Sequence, residues 1–411
     1  MALSRFTTYI GLALDLLNAQ LLTTTVQGAT SLTLTNINDY SAVLSTSGAS
    51  YSAIFIDGPL TETKTITGNA SGETSGSTIA VTATTNAHAP FTYIVFQLTS
   101  ALGPTTYLPL ETYKPSDVYA QLYDDSVVGS LVNNRGAVQG VRTGTIDIGG
   151  AFFADTFPYF LGGVLGSEDY TGGSPNSHAF AVNNNVVQSA TNVYPDQPPR
   201  MLVYNYDAYN TRIFSGRFTD LTLTMDPKAL LKFSAKYLSR ASGVVANPTK
   251  SFSAIVPLPS WYGVATIGGV TVGKTLTAEV TWSRSEVEAI PTLDGKQDPW
   301  DIFLGASMTA GKFALIFDDD SQQNNYYNAT QPNVVLTFTR GTGASQQSVA
   351  VQMTACNYEK ADIMQQGKAY VTSEIDFKGL GNSTDATVAG GGISTSKVTV
   401  LNAVASGTTY T

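Results

Sequence analysis

Along most of this chain apolar and polar residues alternate with a period of two, the spacing of a half-buried β-strand. Leu221, Leu223 and Met225 fall on one side of their run, with Thr222 and Thr224 on the other. Leu231, Phe233, Ala235 and Tyr237 oppose Lys232, Ser234 and Lys236 in the same way. Val371, Ile375 and Phe377 oppose Thr372, Glu374 and Asp376. Such runs predict antiparallel sheets with one face on a core and the other toward water, a lumen or a neighbour. Lys228, Lys232, Lys236 and Arg240 then read as the wet face of one strand.

The runs fall into three zones. From about Gln20 to Gln97, TSLTLT, SAIFID, TKTIT, STIAVTAT and TYIVFQL are short and separated by Gly, Asn, Pro and Ser, which predicts a small β-sandwich or barrel. The rest reads as one design used twice: strand, long polar loop, strand, short helix, three strands. The first copy runs YLPLETY, a loop from Lys114 to Val141, GTIDIGG, the helix ADTFPYFLGGVLG, then MLVYNYD, FTDLTLTMD and ALLKFSAKYLSR. The second runs LTAEVTWSRSEV, a loop from Glu286 to Met308, GKFALIFDD, the helix SQQNNYYNAT, then NVVLTFTRG, SVAVQMTAC and KAYVTSEIDFKG. The expected divisions are 1–17 as a first strand or arm, 18–103 as an inserted or appended β-domain, 104–250 as the first copy and 251–411 as the second with a C-terminal arm. From Gly379 a Gly/Ser/Thr-rich stretch predicts a flexible excursion. KVTVLNA is then a late strand that completes its own sheet or pairs with the open edge of another subunit.

Composition narrows the function. Charged residues are 13%, about half the usual ~25%, so much of the surface suits contact with neighbours better than with water. The net charge of −9 and the lack of clustered Lys and Arg argue against gripping phosphates. Cys356 is the only cysteine, which rules out a disulfide within the chain and a zinc cluster; its alternating run predicts a buried thiol. The N-terminal apolar stretch is interrupted by Thr8, Gly11 and Asp15, unlike a secretory signal, and no run approaches the ~18 apolar residues of a membrane helix. A chain made soluble in a cytoplasm is the expectation.

Convergent reactive groups are not evident. His88 and His178, the two histidines, read as surface or packing residues. Asp318, Asp319 and Asp320 precede a helix and suit its free N–H groups better than a metal ion. Asp124 and Asp125 suit a subunit contact or a solvated loop. No Gly-rich run has the context of a phosphate loop, and the 21 tyrosines suit core and interface. No catalytic, metal or cofactor residue is expected, and the chain is read as no enzyme.

The stretches from YLPLETYKPSDVYAQLYDDSVVGSLVNNRG to FLGGVLG, RFTDLTLTMDPKALLKFSAKYLS, TLDGKQDPWDIFLGASMTAGKFALIFDDD and NSTDATVAGGGISTSKVTVLNA resemble the major tail tube proteins of long-tailed, siphovirus-type bacteriophages. The resemblance spans about Tyr107 to Ala403. SRFTTYIGLA also looks like the opening of such proteins, where the first strand normally runs quickly into the equivalent of YLPLE. Here a segment intervenes that resembles a small β-module attached to various phage virion proteins, expected on the outside of the tail.

The resemblance implies a mainly β fold, a duplicated tail-tube β-sandwich or barrel with short flanking helices plus the small all-β N-terminal domain. It implies a structural virion protein whose rings, three chains each for a doubled fold, join by sheet pairing. The rings stack into the tail tube through which DNA is ejected into the host. The implied partners are the chain itself and the tape measure, terminator and distal tail proteins. DNA passes without specific binding, and neither cofactor nor membrane is involved. Contacts between rings are expected at Tyr123, Asp124, Asp125 and Arg135 in the first loop and Asp294, Lys296, Asp298 and Trp300 in the second. The alternatives are a tail or capsid decoration or receptor-binding protein, and a polysaccharide hydrolase.

Overall fold

A computed structural model of the protein describes residues 9–15, 18–35, 50–67, 78–99, 102–124, 136–184, 197–206, 210–293, 295–365, 370–405 and 410. The chain is mainly β. It opens with β1 (Tyr9–Leu14), which belongs to a large sheet. The next six strands form a sheet of their own: β2 (Asn18–Leu21), β3 (Ser31–Thr35), β4 (Tyr51–Ile56), β5 (Glu62–Thr65), β6 (Thr78–Ala80) and β7 (Tyr93–Leu98), ordered β5-β4-β7-β2-β3-β6. Their apolar residues, among them Leu21, Leu32, Leu34, Phe55 and Ile94, close a separate small core.

With β8 (Thr106–Leu108) the chain returns to pair with β1. There follow a long hairpin of β9 (Thr112–Tyr123) and β10 (Ala137–Ala151), the helix α1 (Phe157–Leu165), and a second hairpin of β11 (Gly166–Thr171) and β12 (Asn176–Val182). Next come β13 (Met201–Tyr206), β14 (Thr211–Met225), β15 (Lys232–Ser239) and β16 (Gly243–Val245). A linker leads to β17 (Gly263–Ile267), β18 (Val270–Val272), β19 (Thr275–Arg284), the short hairpin of β20 (Glu288–Ile290) and β21 (Asp301–Phe303), and β22 (Ser307–Ile316). The helix α2 (Ser321–Tyr327), β23 (Val334–Arg340), β24 (Gln347–Met353), β25 (Cys356–Met364), β26 (Thr372–Gly379) and β27 (Lys397–Asn402) complete the chain.

Two series of strands share one pairing order. The strands β9-β10-β15-β14 lie side by side, and so do β19-β22-β26-β25. On the opposite layer the orders are β8-β1-β13-β14-β16 and β18-β17-β23-β24-β27. The strand β14 serves both layers of the first series: Thr211–Gly216 pairs with β13, a bulge follows at Phe218, and Asp220–Met225 pairs with β19. In the second series that path is divided into β24 and β25. The series also differ at one turn. β17 and β18 are joined by Gly268 and Gly269, both at positive φ, a two-residue hairpin that glycine makes without steric cost. Between β1 and β8 the same connection holds the whole β2–β7 unit.

One core fills the space between the layers. Trp282 is fully buried in it and its indole N–H donates to Ser396 Oγ at 2.9 Å. Every residue of α1 is buried. Gly163 sits where a Cβ would lie 2.7 Å from Phe218, so the missing side chain lets the helix lie close on β14, and Gly166 ends it at φ +93°. Burial pushes the Cys356 thiol up to about 12, as suits an inert packing residue.

Three expectations need correction, and one open alternative is decided. Lys114 to Val141 is no open loop over its described part but the stem of the β9–β10 hairpin. Both faces of its outer half are exposed, so no burial period marks it, and Pro115 sits on an edge strand, where proline is tolerated. Arg240 is not on a wet face: it is 3% exposed and lies over the Tyr93 ring at 3.9 Å. The stretch after Gly379 is pinned by Asp385, which accepts from Thr354 N at 2.7 Å, Thr354 Oγ1 at 2.6 Å and Asn382 Nδ2 at 2.8 Å. KVTVLNA completes its own sheet, between β12 and β24.

Candidate assembly site

The eight strands β9-β10-β15-β14-β19-β22-β26-β25 form a continuous antiparallel run whose inner side is the core. Their other side is polar and its charges alternate across strands. Lys236 stands opposite Asp147 on one neighbour and Asp220 on the other. Lys312 stands opposite Asp376 and Glu279, and pairs with Glu279 at 3.3 Å. Thr222 and Thr281 hydrogen-bond across the joint between the two series at 3.0 Å. Opposite charges on directly facing residues stabilise a sheet, and here they also leave a face of mixed sign with no basic stripe. At the two ends of the run, β9 and β25 each have a strand partner on one side only among the described residues.

The β9–β10 hairpin stands away from this surface and exposes Val118, Tyr119, Leu122, Tyr123, Val138 and Val141. Tyr123 is 59% exposed, and the Asp124 amide closes the stem on Gly136 O at 2.9 Å. Asp125, Arg135 and Asp294 lie outside the described residues.

The second loop is drawn inward. Asp298 accepts two guanidinium bonds from Arg142 at 2.6 Å each, and Lys296 lies 3.3 Å from Asp57 and donates to Thr92 Oγ1. Trp300 stacks with Phe303, its ring centroid 6.1 Å away, and its carbonyl accepts from Arg240. Thus Lys296 and Asp298 meet one cluster with Asp57 and Arg142, while Tyr123 and Asp124 stay apart from it on the hairpin.

That cluster joins the β2–β7 unit to the first series. His88, 1% exposed, has Nδ1 3.0 Å from Asp57 and Nε2 2.9 Å from Glu62, and stacks on Phe55 at 4.5 Å. Burial opposes the charge on Asp57, but the His88 hydrogen bond and the Lys296 charge outweigh it and hold the carboxyl below its ordinary range. Burial likewise opposes the charge on Glu62; bonds from His88, Thr85, Lys64 and Asn86 overcome it and bring the group to about 2. An apolar seam lies beside the ions: Ile54, Ile56, Tyr93 and Val95 of the unit pack on Ala13, Leu202, Tyr204 and Ile213. These last four lie on β1, β13 and the first half of β14, on the face turned away from the shared core. Gly243 is required at the contact, since a Cβ there would fall 2.2 Å from Thr61 Oγ1.

A second buried cluster sits beneath β21. Arg200 grips Asp301 with Nε at 3.2 Å and Nη2 at 2.5 Å, and Asp15 accepts from Tyr93 Oη at 2.8 Å and Ser215 Oγ at 2.7 Å. Burial first, and the Arg200 charge second, lower Arg217 to about 9. None of Asp15, Asp57, Arg142, Arg200 or Asp301 stood out in sequence. The available signal was rarity, since a lone charge in a charge-poor strand has to be paired once it is buried.

The remaining candidates are unremarkable as chemistry. His178 has Nδ1 2.6 Å from Glu168 and Nε2 3.0 Å from the Val404 carbonyl, fully buried. Asp319 accepts the Ser321 amide at 2.9 Å, and Asp318 pairs with Lys274. Among the described residues no group of three His, Cys, Asp or Glu side chains is placed to hold a metal ion. No helix there is long and apolar enough to cross a membrane.

Stacked antiparallel β-layers, with edge strands among the described residues and a long exposed hairpin, define a mainly β protein rich in contact surface. A family model described as phage tail tube protein matches residues 120–379. The chain therefore belongs to the phage tail tube protein family, a structural family of the phage tail. No curated protein sequence matches it.

Proposed function

We propose that the chain carries the tube fold twice and assembles as rings of three, stacked into a tail tube that conducts DNA from the virion into the host. The observation that carries this reading is the joint between β14 and β19, registered from Asp220 opposite Ser283 to Met225 opposite Ala278. It supports the reading, since the second series follows the first within one continuous sheet. Strand directions alternate without a break through all eight, so β25 of one chain meets β9 of another antiparallel, as β14 meets β19. A closed ring of this kind removes the open edges.

Size favours three chains over six. Three chains of eight inner strands give 24, which at ~4.8 Å per upright strand close a perimeter of roughly 115 Å and a backbone-to-backbone width of roughly 37 Å. Once side chains are counted that suits a DNA duplex, whereas six chains would give roughly 73 Å on the same spacing. The polar face of mixed sign would line the bore, where it offers a passing duplex no basic stripe to hold it. The β2–β7 unit packs on the outward face of the other layer and so decorates the exterior. Tyr123 and Asp124 on the exposed hairpin meet the next ring, as do Asp125 and Arg135. Asp294 belongs to the same contact by sequence, with Lys296, Asp298 and Trp300 bracing it from below.

Negative-stain electron microscopy of the purified full chain tests this: hollow tubes are expected, and single rings once residues 120–140 are removed. A chain that stays monomeric at every concentration yet binds host cell walls would favour a receptor-binding role instead.

A further inference from the structure

In the first series, the segment ahead of β17 seals one end of the sandwich. Leu258 is fully buried; its amide donates to the Phe152 carbonyl at 3.2 Å and its carbonyl accepts the Leu231 amide at 2.9 Å. Phe252 packs edge-on against Tyr107 of β8 at 5.9 Å, and the Tyr107 hydroxyl donates to Thr249 O at 2.7 Å. Three landmarks hold this segment: β8, the residue after β10, and the residue before β15.

The second series repeats the landmarks as β18, Phe317 after β22, and Val371 before β26. The Phe317 amide donates to the Val371 carbonyl at 3.0 Å, as the Phe152 amide does to Leu231 at 2.7 Å. Between them lies an open groove of about 540 Å³, walled by Thr271, Val272, Phe317, Gln322 and Gln323. Gln323 is 3% exposed; its Nε2 donates to Ser373 Oγ at 2.7 Å, and its Oε1 has no partner. A buried amide oxygen left without a donor is costly, and this one belongs to the groove wall.

The segment that fills the first groove is the one leading into the next copy of the strand pair β17–β18. The segment that leads into β1 is Met1–Thr8, outside the described residues. If chains follow one another in a ring as the two series do within a chain, that segment arrives from the neighbour. We propose that Met1–Thr8 of an adjacent copy lies in the groove beside α2, with Phe6 in the place that Leu258 takes in the first series. This rests on the ring reading above.

The register brings the arm to within one residue of this place. Leu14 faces Met201 and Ile267 faces Val334, the matching core residues of β13 and β23. Leu258 precedes Ile267 by the same number of residues as Arg5 precedes Leu14, and Phe6 adjoins Arg5. Eight extended residues reach roughly 26 Å, enough to cross a subunit joint. Arg5 is the arm's one charged side chain, and Asp318 and Asp319 line the groove. An arm backbone passing through would meet Phe317 O and Val371 N as Leu258 meets Phe152 O and Leu231 N, with an N–H to spare for Gln323.

Photocrosslinking of the assembled full chain tests the arm. With benzoylphenylalanine in place of Phe6, irradiation should join two different chains, at peptides spanning residues 270–274 or 315–325. Phe6→Asp should fold as the wild type by circular dichroism and lose ring formation. Rings that form with the crosslink inside one chain or at another surface overturn the arm alone, as does Phe6→Asp assembling like the wild type. A wild-type chain that forms no rings sinks the tube reading and the arm with it.

Discussion

At the residue scale, the contact between the β2–β7 unit and the tube fold depends on few charges. His88 lies between Asp57 and Glu62, and Lys296 and Arg142 reach Asp57 from the other side, Arg142 at 3.8 Å. Losing one charged hydrogen-bond partner of this kind costs about 1.5–3 kcal/mol, so Glu62→Gln should melt at a lower temperature than the wild type at neutral pH. The sign with pH follows from the depressed carboxylate. Its ordinary value is 4.5 and its folded value about 2, so its contribution is complete above pH 4.5 and disappears as pH falls toward 2. The gap between the melting curves of wild type and Glu62→Gln should therefore be full at pH 6 and close on acidification. A gap that does not change across that range would remove Glu62 from the latch. None of this was legible in sequence, because His88 in NAHAPF carries no sign of the two carboxylates that the fold brings from 31 and 26 residues away.

At the scale of elements, the period of two located the strands wherever one face is buried, as in β15, where Phe233, Ala235 and Tyr237 are buried and Lys232 and Lys236 are not. It failed for the outer halves of β9 and β10, which bury neither face and are held by each other and by Gln297, whose amide donates to Gln139 O at 3.0 Å. It also missed the order imposed by Asp385 after Gly379, since such order comes from side-chain bonds and leaves no hydrophobic pattern. The connection between β1 and β8 has its counterpart in the Gly268–Gly269 turn, which makes a direct prediction. Replacing residues 15–105 with Gly-Gly should leave a chain that folds with the same two layers. Its seam residues Leu202, Tyr204 and Ile213 would be exposed, so solubility should fall unless they are made polar. Far-ultraviolet circular dichroism and a cooperative melt check the outcome; an unfolded product, with the seam made polar, would mean that the unit is an integral part of the fold.

At the scale of the whole molecule, the proposed ring rests on how the halves are joined. The repeated order of strand, long loop, strand, short helix and strands was visible along the chain, whereas the pairing of β14 with β19 was not, since it depends on a bulge at Phe218 that redirects one strand between layers. The proposed outward placement of the β2–β7 unit rests likewise on an apolar patch assembled from β1, β13 and β14. A cryo-electron microscopy map of the assembled tube tests the account most directly. It should show three chains per ring with 24 strands around the bore and β25 of each chain beside β9 of the next. Six chains per ring, or a bore lined by any other strands, would contradict it.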